Sequence, residues 1–498
     1  MFTTMRDWLW QVKPAGAAGA TLTPANHCNR LLIIIECVSS ALLTAQPALA
    51  KINYLLAPST PRNSIVTNKP AYDPTDPRYY DEKDLRSEVE RIFSLCADCR
   101  MCVKYCGSFP KMFDAIDDYC TEGKYAEVDT KKIKSEDVSK VVDLCFQCKL
   151  CYIKCPYTPG DHEWAIDFPR LMTRAKAQEV KKTSVPLVDK LLGNPDLVGK
   201  FGSAMASLAN WGSENALSRQ LIHNSVGIHK NKKLPTFASK TFAKRFAGER
   251  KTPQGEPAAK IAFFSTCYVN YHEPAVGTDT LEVMAHNNID VVLAYEQCCG
   301  MPRWHNGDVE GAVEVAKENV AGLIEHVNQG RNIIATNPTC SQMIRVEYPR
   351  LLGTEDAKTV AARTMDPLEF LAGLASAGKL KKDFKTGAGN VSYHMPCHLR
   401  AQNIGYKTRD VLSLLPDTTV RVVEECSGHD GTWAMKKEHF EMSLKYGSRA
   451  FREMADGDPK VTCSDCPLAA IQIEQGNGRR PLNPMQILAK SYRGEPIG

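Results

Sequence analysis

From Asp81 onward, hydrophobic positions recur at helical spacing. Leu85, Val89, Ile92 and Phe93 fall on one stripe of the run that opens Asp81-Glu-Lys-Asp, which predicts an amphipathic helix. Residues 114–119 and 135–144 also read as helical. Residues 161–255 read as short helices broken at Pro186, Gly193-Asn194-Pro195 and Pro235. After Lys260 the pattern changes. Short β-branched apolar runs (261–264, 289–293, 332–335, 390–393, 418–423 and 460–462) alternate with helical segments, the sign of βαβ units and a parallel sheet.

Cysteines punctuate both halves. The first predicted helix leads into Cys96-x-x-Cys99-x-x-Cys102-x-x-x-Cys106, and the third into Cys145-x-x-Cys148-x-x-Cys151-x-x-x-Cys155-Pro156. Each has the ligand spacing of a bacterial [4Fe–4S] ferredoxin, in which the fourth cysteine of one run ligates the other cluster. The spacing therefore assigns Cys96, Cys99, Cys102 and Cys155 to one cluster, and Cys145, Cys148, Cys151 and Cys106 to the second. Structural zinc is the alternative, but zinc sites show paired C-x-x-C units rather than this triple run. Gly107 follows Cys106 where proline is common. The long insertion between the runs, 107–144, favours an all-helical ferredoxin domain over the compact βαββαβ form. Cys120 within it reads as a buried apolar residue.

In the second half every cysteine lies just past the end of a strand, where open α/β sheets build their sites. The pattern occurs twice. Cys267 pairs with Cys397, Cys298-Cys299-Gly300 with Cys426-Ser427-Gly428, and Asn337-Pro-Thr-Cys340 with Cys463-Ser-Asp-Cys466. A full unit would carry five cysteines, and each copy keeps four: the first lacks one at Asn337, the second a different one at Ser427. Four thiolates suit a [4Fe–4S] cluster or one Zn²⁺. The adjacent pair Cys298-Cys299 suits a bridged or opened cluster better than a cubane, and makes these two the candidate catalytic residues. In the second copy Cys397, Cys426, Cys463 and Cys466 form the candidate four-thiolate site, with His394, His398 and His429 near in sequence.

With 498 residues the chain has room for about three domains. A net charge of +5 is small for this length and argues against nucleic-acid binding. Nineteen cysteines gathered in ligand-type motifs point to thiolates in a reducing compartment. The apolar run 31–50 ends Ala48-Leu49-Ala50, like a secretory cleavage site, and reads as either a signal peptide or a weak membrane span. Against export stand a long, weakly basic segment before it, Glu36 within it and no twin-arginine pair. A low-order N-terminal extension is the preferred reading of 1–80, its last part (56–80) an irregular proline-rich linker. Basic residues flank an apolar stretch at 197–211. This suits either helices resting on an anionic bilayer or a helical connector with a solvated basic face.

These motifs resemble the cysteine-rich CCG-domain iron–sulfur oxidoreductases: heterodisulfide reductase, the iron–sulfur subunit of glycolate oxidase and, in domain order, the C subunit of anaerobic glycerol-3-phosphate dehydrogenase. The resemblance implies an α+β multidomain chain. The resemblance covers residues 73 to about 490; with the residue pattern it gives an N-terminal extension (1–80) whose first 70 residues it does not reach, an all-helical ferredoxin domain with two [4Fe–4S] sites (81–170), a helical connector (171–256), and two α/β CCG domains with parallel sheets (257–385 and 386–498). It implies an electron-transfer subunit that relays electrons between a flavin-dependent dehydrogenase and quinone or another acceptor, in the cytoplasm or on the inner face of the cell membrane. A further iron–sulfur cluster or zinc is expected in the CCG domains. Flavin or NAD would sit on a partner, since no G-x-G-x-x-G follows a strand here. Reductive cleavage of a disulfide at a CCG site, and a zinc-bound scaffold, are the alternative functions.

Overall fold

The structure is a computed structural model, and it describes residues 70–119 and 130–498. The apolar run 31–50 and Cys120 lie outside the described residues.

The expected irregular linker packs from residue 70 onward. Tyr72 and Tyr79 are buried. Arg174 Nε donates to the Tyr79 carbonyl at 2.8 Å, so turns here are fixed by a helix far along the chain. The helix Glu82–Cys99 follows, its N-terminus capped by Asp81 accepting from the Asp84 N–H. It buries Val89, Ile92 and Phe93 against the helices Ser108–Asp117, Ser135–Asp143 and Phe168–Thr183. Helix Phe168–Thr183 crosses the boundary expected at 170. It belongs to the ferredoxin layer because its buried residues include Leu171, Met172 and Ala175 in that same core.

Five connector helices follow: Leu187–Leu192, Pro195–Ala204, Ala206–Glu214, Ala216–Ser225 and Phe242–Glu249. Among the described residues no helix is long and apolar enough to cross a membrane.

The last part of the chain holds two parallel sheets. The first has strand order β2-β1-β3-β4, from β1 Ala259–Phe264, β2 Ile289–Leu293, β3 Asn332–Ala335 and β4 Thr364–Met365. The second has order β6-β5-β7, from β5 Gly389–His394, β6 Thr418–Val423 and β7 Val461–Ser464. A single bridge from Cys463 to Leu482 stands where β4 stands in the first sheet. The repeat therefore runs further than the cysteines show. Met365-Asp366-Pro367 and Leu482-Asn483-Pro484 each end a sheet and open a helix with a capping box.

Those two helices are exchanged. Pro367–Ser376, from the first repeat, packs on Lys407–Leu412 of the second, and Pro484–Arg493, from the second, packs on Pro274–His286 of the first. One hydrophobic core, with Ile261, Phe263, Val391 and Tyr393 at its centre, thus joins both sheets.

Candidate metal centres

Both ferredoxin runs fold alike. Arg100, between Cys99 and Cys102, and Lys149, between Cys148 and Cys151, take left-handed backbone with φ of 48° and 60°. Each reversal starts the short helix that carries the third cysteine. Cys106, Cys145, Cys148 and Cys151 line one cavity, closed by Phe109, Phe146 and Phe168. Cys155 joins the other trio, and Cys102, Cys155 and Cys99 all bear on Cys96.

Burial pushes the Cys102 and Cys106 thiols up to about 12, and neighbouring sulfurs add to it. Cys145 and Cys151 rise for the same reasons. Crowded thiols of this kind ionise together only against a polyvalent cation. Gln147 Nε2 donates toward Cys145 Sγ at 3.5 Å. The donor set, the enclosure and the spacing fit a [4Fe–4S] cluster at each site. Among the described residues, no three Cys, His, Asp or Glu side chains are placed as a single ion would need; at the second site the sulfurs stand around a cavity instead.

In the first sheet's site, Cys267, Cys298, Cys299 and Cys340 form a row of hydrogen-bonded thiols in the order 267–298–299–340. Cys298 sits low because its sulfur receives hydrogen bonds from Cys267 and Cys299 and from the Gly300 N–H. Its two neighbours are raised in consequence. The loop is held from three sides. The Cys298 N–H donates to Asp196 at 2.6 Å, its carbonyl accepts from Asn319 at 3.0 Å, and the Cys299 carbonyl accepts from the Tyr348 hydroxyl at 2.9 Å. Thr266, beside Cys267, is a β-branched residue at φ 75°, a strained conformation at the edge of the site. Asn337 serves as a helix cap, accepting from the Thr339 N–H.

In the second sheet the structure corrects the sequence pairing. Phe263 pairs with Ile334 and Tyr393 with Cys463, and the next strand position pairs Ile334 with Met365 and Cys463 with Leu482. Cys463 is therefore the counterpart of Ile334, not of Asn337. Its side chain is fully buried in the shared hydrophobic core. The counterpart of Asn337-Pro338 is Cys466-Pro467, each at the start of a helix, and Ala469 stands where the first repeat has Cys340. The pairing by cysteine spelling fails because the C-x-x-C at 463–466 begins inside a strand. Cys466 instead caps its helix, its sulfur accepting from the Ala469 N–H at 3.5 Å. Cys397, Cys426 and Cys466 remain beside the strand ends. Gly428, at φ 67°, turns its N–H onto Cys426 Sγ at 3.3 Å. A β-carbon there would lie 2.0 Å from the Ser443 carbonyl oxygen.

Comparison with known proteins matches this layout. A family model described as "Cysteine-rich domain" (CCG) matches twice, at residues 261–345 and 391–474. One described as "Citrate utilization protein B Fer4-like domain" matches residues 89–182, which includes most of the helix that crosses position 170. This chain carries one Fer4-like domain and two CCG domains. It is homologous to the C subunit of the anaerobic glycerol-3-phosphate dehydrogenase of Escherichia coli (strain K12), with 29% identity over 64% of this chain and 81% of that protein. Lactate utilization protein A of Bacillus pumilus is 27% identical over 36% of this chain and 75% of its own length. The B subunit of the fumarate reductase (CoM/CoB) of Methanothermobacter marburgensis is 25% identical over 47% and 45%.

The CCG domains close onto the Fer4-like domain. Trp433 enters the Fer4-like core, its ring tilted against Phe146 with centroids 4.9 Å apart and its indole N–H donating to the Asp143 carbonyl at 2.8 Å. His398, next to Cys397, donates from Nε2 to the Gln147 carbonyl at 3.0 Å and accepts at Nδ1 from Thr339, 3.0 Å away. Burial lowers its pKa to about 4, which keeps it neutral. Cys148 is hydrogen-bonded to Cys426, and that bond and burial push its thiol up. Cys397 neighbours Cys148 and Cys466, and Cys466 neighbours Cys340. Two residues that shape the sites, Asp196 and Glu347, carried no signal in the sequence, since each lies far along the chain from the cysteine it serves.

Proposed function

We propose that this chain is the electron-relaying iron–sulfur subunit of an oxidoreductase complex. Electrons would pass between a flavin-dependent dehydrogenase partner and quinone or another acceptor, through two [4Fe–4S] clusters and the CCG centres, in the cytoplasm or against the inner face of the cell membrane. The observation that supports this best is a succession of sulfurs, each close enough to bear electrostatically on the next. It starts at Cys99, exposed beside Met101 and Val103, and passes the first trio to Cys102, which neighbours Cys106 and Cys148. It crosses to Cys426 and Cys397, then Cys466 and Cys340, and ends in the row at Cys298 and Cys267. The exposed end suits entry from a partner. The buried middle suits transfer without loss to water. Clusters supply one-electron storage when bound; the chain's part is to space them and exclude solvent.

The names of the relatives, which are parts of a dehydrogenase and of a fumarate reductase, are consistent with this reading. Anaerobic purification with iron and sulfide analysis tests it. Two cubanes require about eight irons per chain. A protein with intact fold and fewer irons than that would sink the proposal.

A further inference from the structure

The second CCG centre is short of cysteines. Ser427 and Ala469 occupy two of its five cysteine positions, Cys463 faces the core, and three sulfurs remain. Three thiolates leave one iron of a four-iron core without a protein ligand.

His429 stands three residues after Cys426, just past the left-handed Gly428. Both of its ring nitrogens are buried and neither finds a hydrogen-bond partner. A buried imidazole with two empty nitrogens carries a desolvation cost that folded proteins rarely leave uncompensated. The other histidines of this junction each have at least one partner: both nitrogens of His394 (Ser464 and the Glu425 carbonyl) and of His398 (Thr339 and the Gln147 carbonyl) are paired, and His305 is paired through Nδ1 to Asp430 with its Nε2 left over, so that among them His429 alone has neither nitrogen paired. His398, the residue after Cys397, bears on the His429 ring, and Asp430, the residue after His429, bears on Cys397, so the two loops meet at the cysteine end of the sheet. Neutral imidazole is a good donor to iron.

We infer that His429 is the nitrogen ligand that completes the second CCG centre, giving three thiolates (Cys397, Cys426 and Cys466) and one imidazole on an iron–sulfur cluster. This rests on the reading above that the CCG domains hold metal. It explains how a repeat that has lost two cysteines keeps a four-ligand set, and why the orphaned side chain is a histidine.

The test is pulsed electron paramagnetic resonance of the full chain, purified anaerobically, reduced with dithionite and labelled with ¹⁵N-histidine. Four-cysteine cubanes bind no nitrogen directly, so a strongly coupled histidine nitrogen must come from another centre. The expected result is such a coupling in the wild type and its loss in His429→Ala and His429→Cys. Iron per chain falls in the alanine variant and returns in the cysteine variant. A wild-type protein that shows cluster signals without a strongly coupled histidine nitrogen overturns the inference, as does a coupling that survives His429→Cys or zinc in place of iron at this centre. Failure of the broader reading looks different: the ferredoxin-type signals themselves would be missing.

Discussion

Asp196 Oδ2 lies 2.6 Å from the backbone nitrogen of Cys298, and Oδ1 lies 2.5 Å from the Tyr295 hydroxyl. One carboxylate in the first turn of helix Pro195–Ala204 therefore ties the connector to the cysteine pair of the first CCG domain. Removing it leaves a buried N–H and a buried hydroxyl without an acceptor. Asp196→Ala is expected to lower stability by about 2 kcal/mol, and Asp196→Asn by less because its amide oxygen still accepts one bond. Urea unfolding and the rate of proteolysis within 187–225 measure this. An alanine variant as stable and as resistant as wild type would remove Asp196 from the joint.

Glu347 joins the Fer4-like domain to the first CCG domain through buried charges. Lys149, inside the second cysteine run, lies 2.8 Å from Oε1, and Arg170, itself paired with Asp167 at 2.7 Å, lies 3.4 Å from Oε2. Burial raises the Glu347 carboxyl, but Lys149 and Arg170 outweigh it and hold it far below the usual range. A depressed carboxyl contributes stability above its unfolded pKa, near 4.3, and that contribution is lost as pH falls below it. Glu347→Gln should cost about 3 kcal/mol at pH 7, since it strands two buried cations. The gap between variant and wild type should narrow as unfolding is repeated from pH 5 to pH 3. A gap that stays constant would mean the carboxylate charge is not what matters.

The sequence was most readable where local rules decide. The strands at 289–293, 332–335 and 418–423 lie where β-branched runs placed them. The interleaving of the two ferredoxin runs followed from spacing, and Cys106 does share a cavity with Cys145, Cys148 and Cys151. The helix at 114–119 instead runs from Ser108 to Asp117, because Pro110 falls in its first turn, where proline is tolerated. Reading 460–466 failed for a reason of register. Strand pairing decides which face a cysteine takes, and Cys463 pairs with Tyr393 in the core. Met365-Asp366-Pro367 and Leu482-Asn483-Pro484 also repeat, but they share only proline and a capping side chain, too little identity for the sequence alone to pair them.

That register separates two cysteines three residues apart. Cys463→Ala should leave the iron content unchanged and cost about 1 kcal/mol, the price of one sulfur removed from a packed core. Cys466→Ser should lose the iron of the second CCG centre while the two ferredoxin clusters keep their signals. Iron analysis with low-temperature electron paramagnetic resonance distinguishes them. Loss of iron in Cys463→Ala would return that residue to the ligand set.

Of the large hydrophobic side chains exposed among the described residues, most lie between Leu187 and Leu221. Phe201, Leu208, Trp211, Leu217 and Leu221 are each 59–83% exposed, on three consecutive helices. Lys190 and Lys200 are exposed beside them. Apolar and aromatic side chains next to lysines suit the headgroup region of an anionic bilayer, where the rings enter the acyl boundary and the ammonium groups meet phosphate. Asp196, which holds the Cys298 N–H, is in the first turn of the helix that carries Phe201, so a bilayer there would bring a lipid-soluble acceptor toward the Cys298 site. The chain is expected to float with vesicles that contain anionic lipid, to bind neutral vesicles weakly, and to release as salt rises. Phe201→Ser with Leu217→Ser should abolish flotation and leave iron content intact. If the double variant floats as wild type does, or if salt and lipid charge have no effect, the apolar helices serve a protein partner instead.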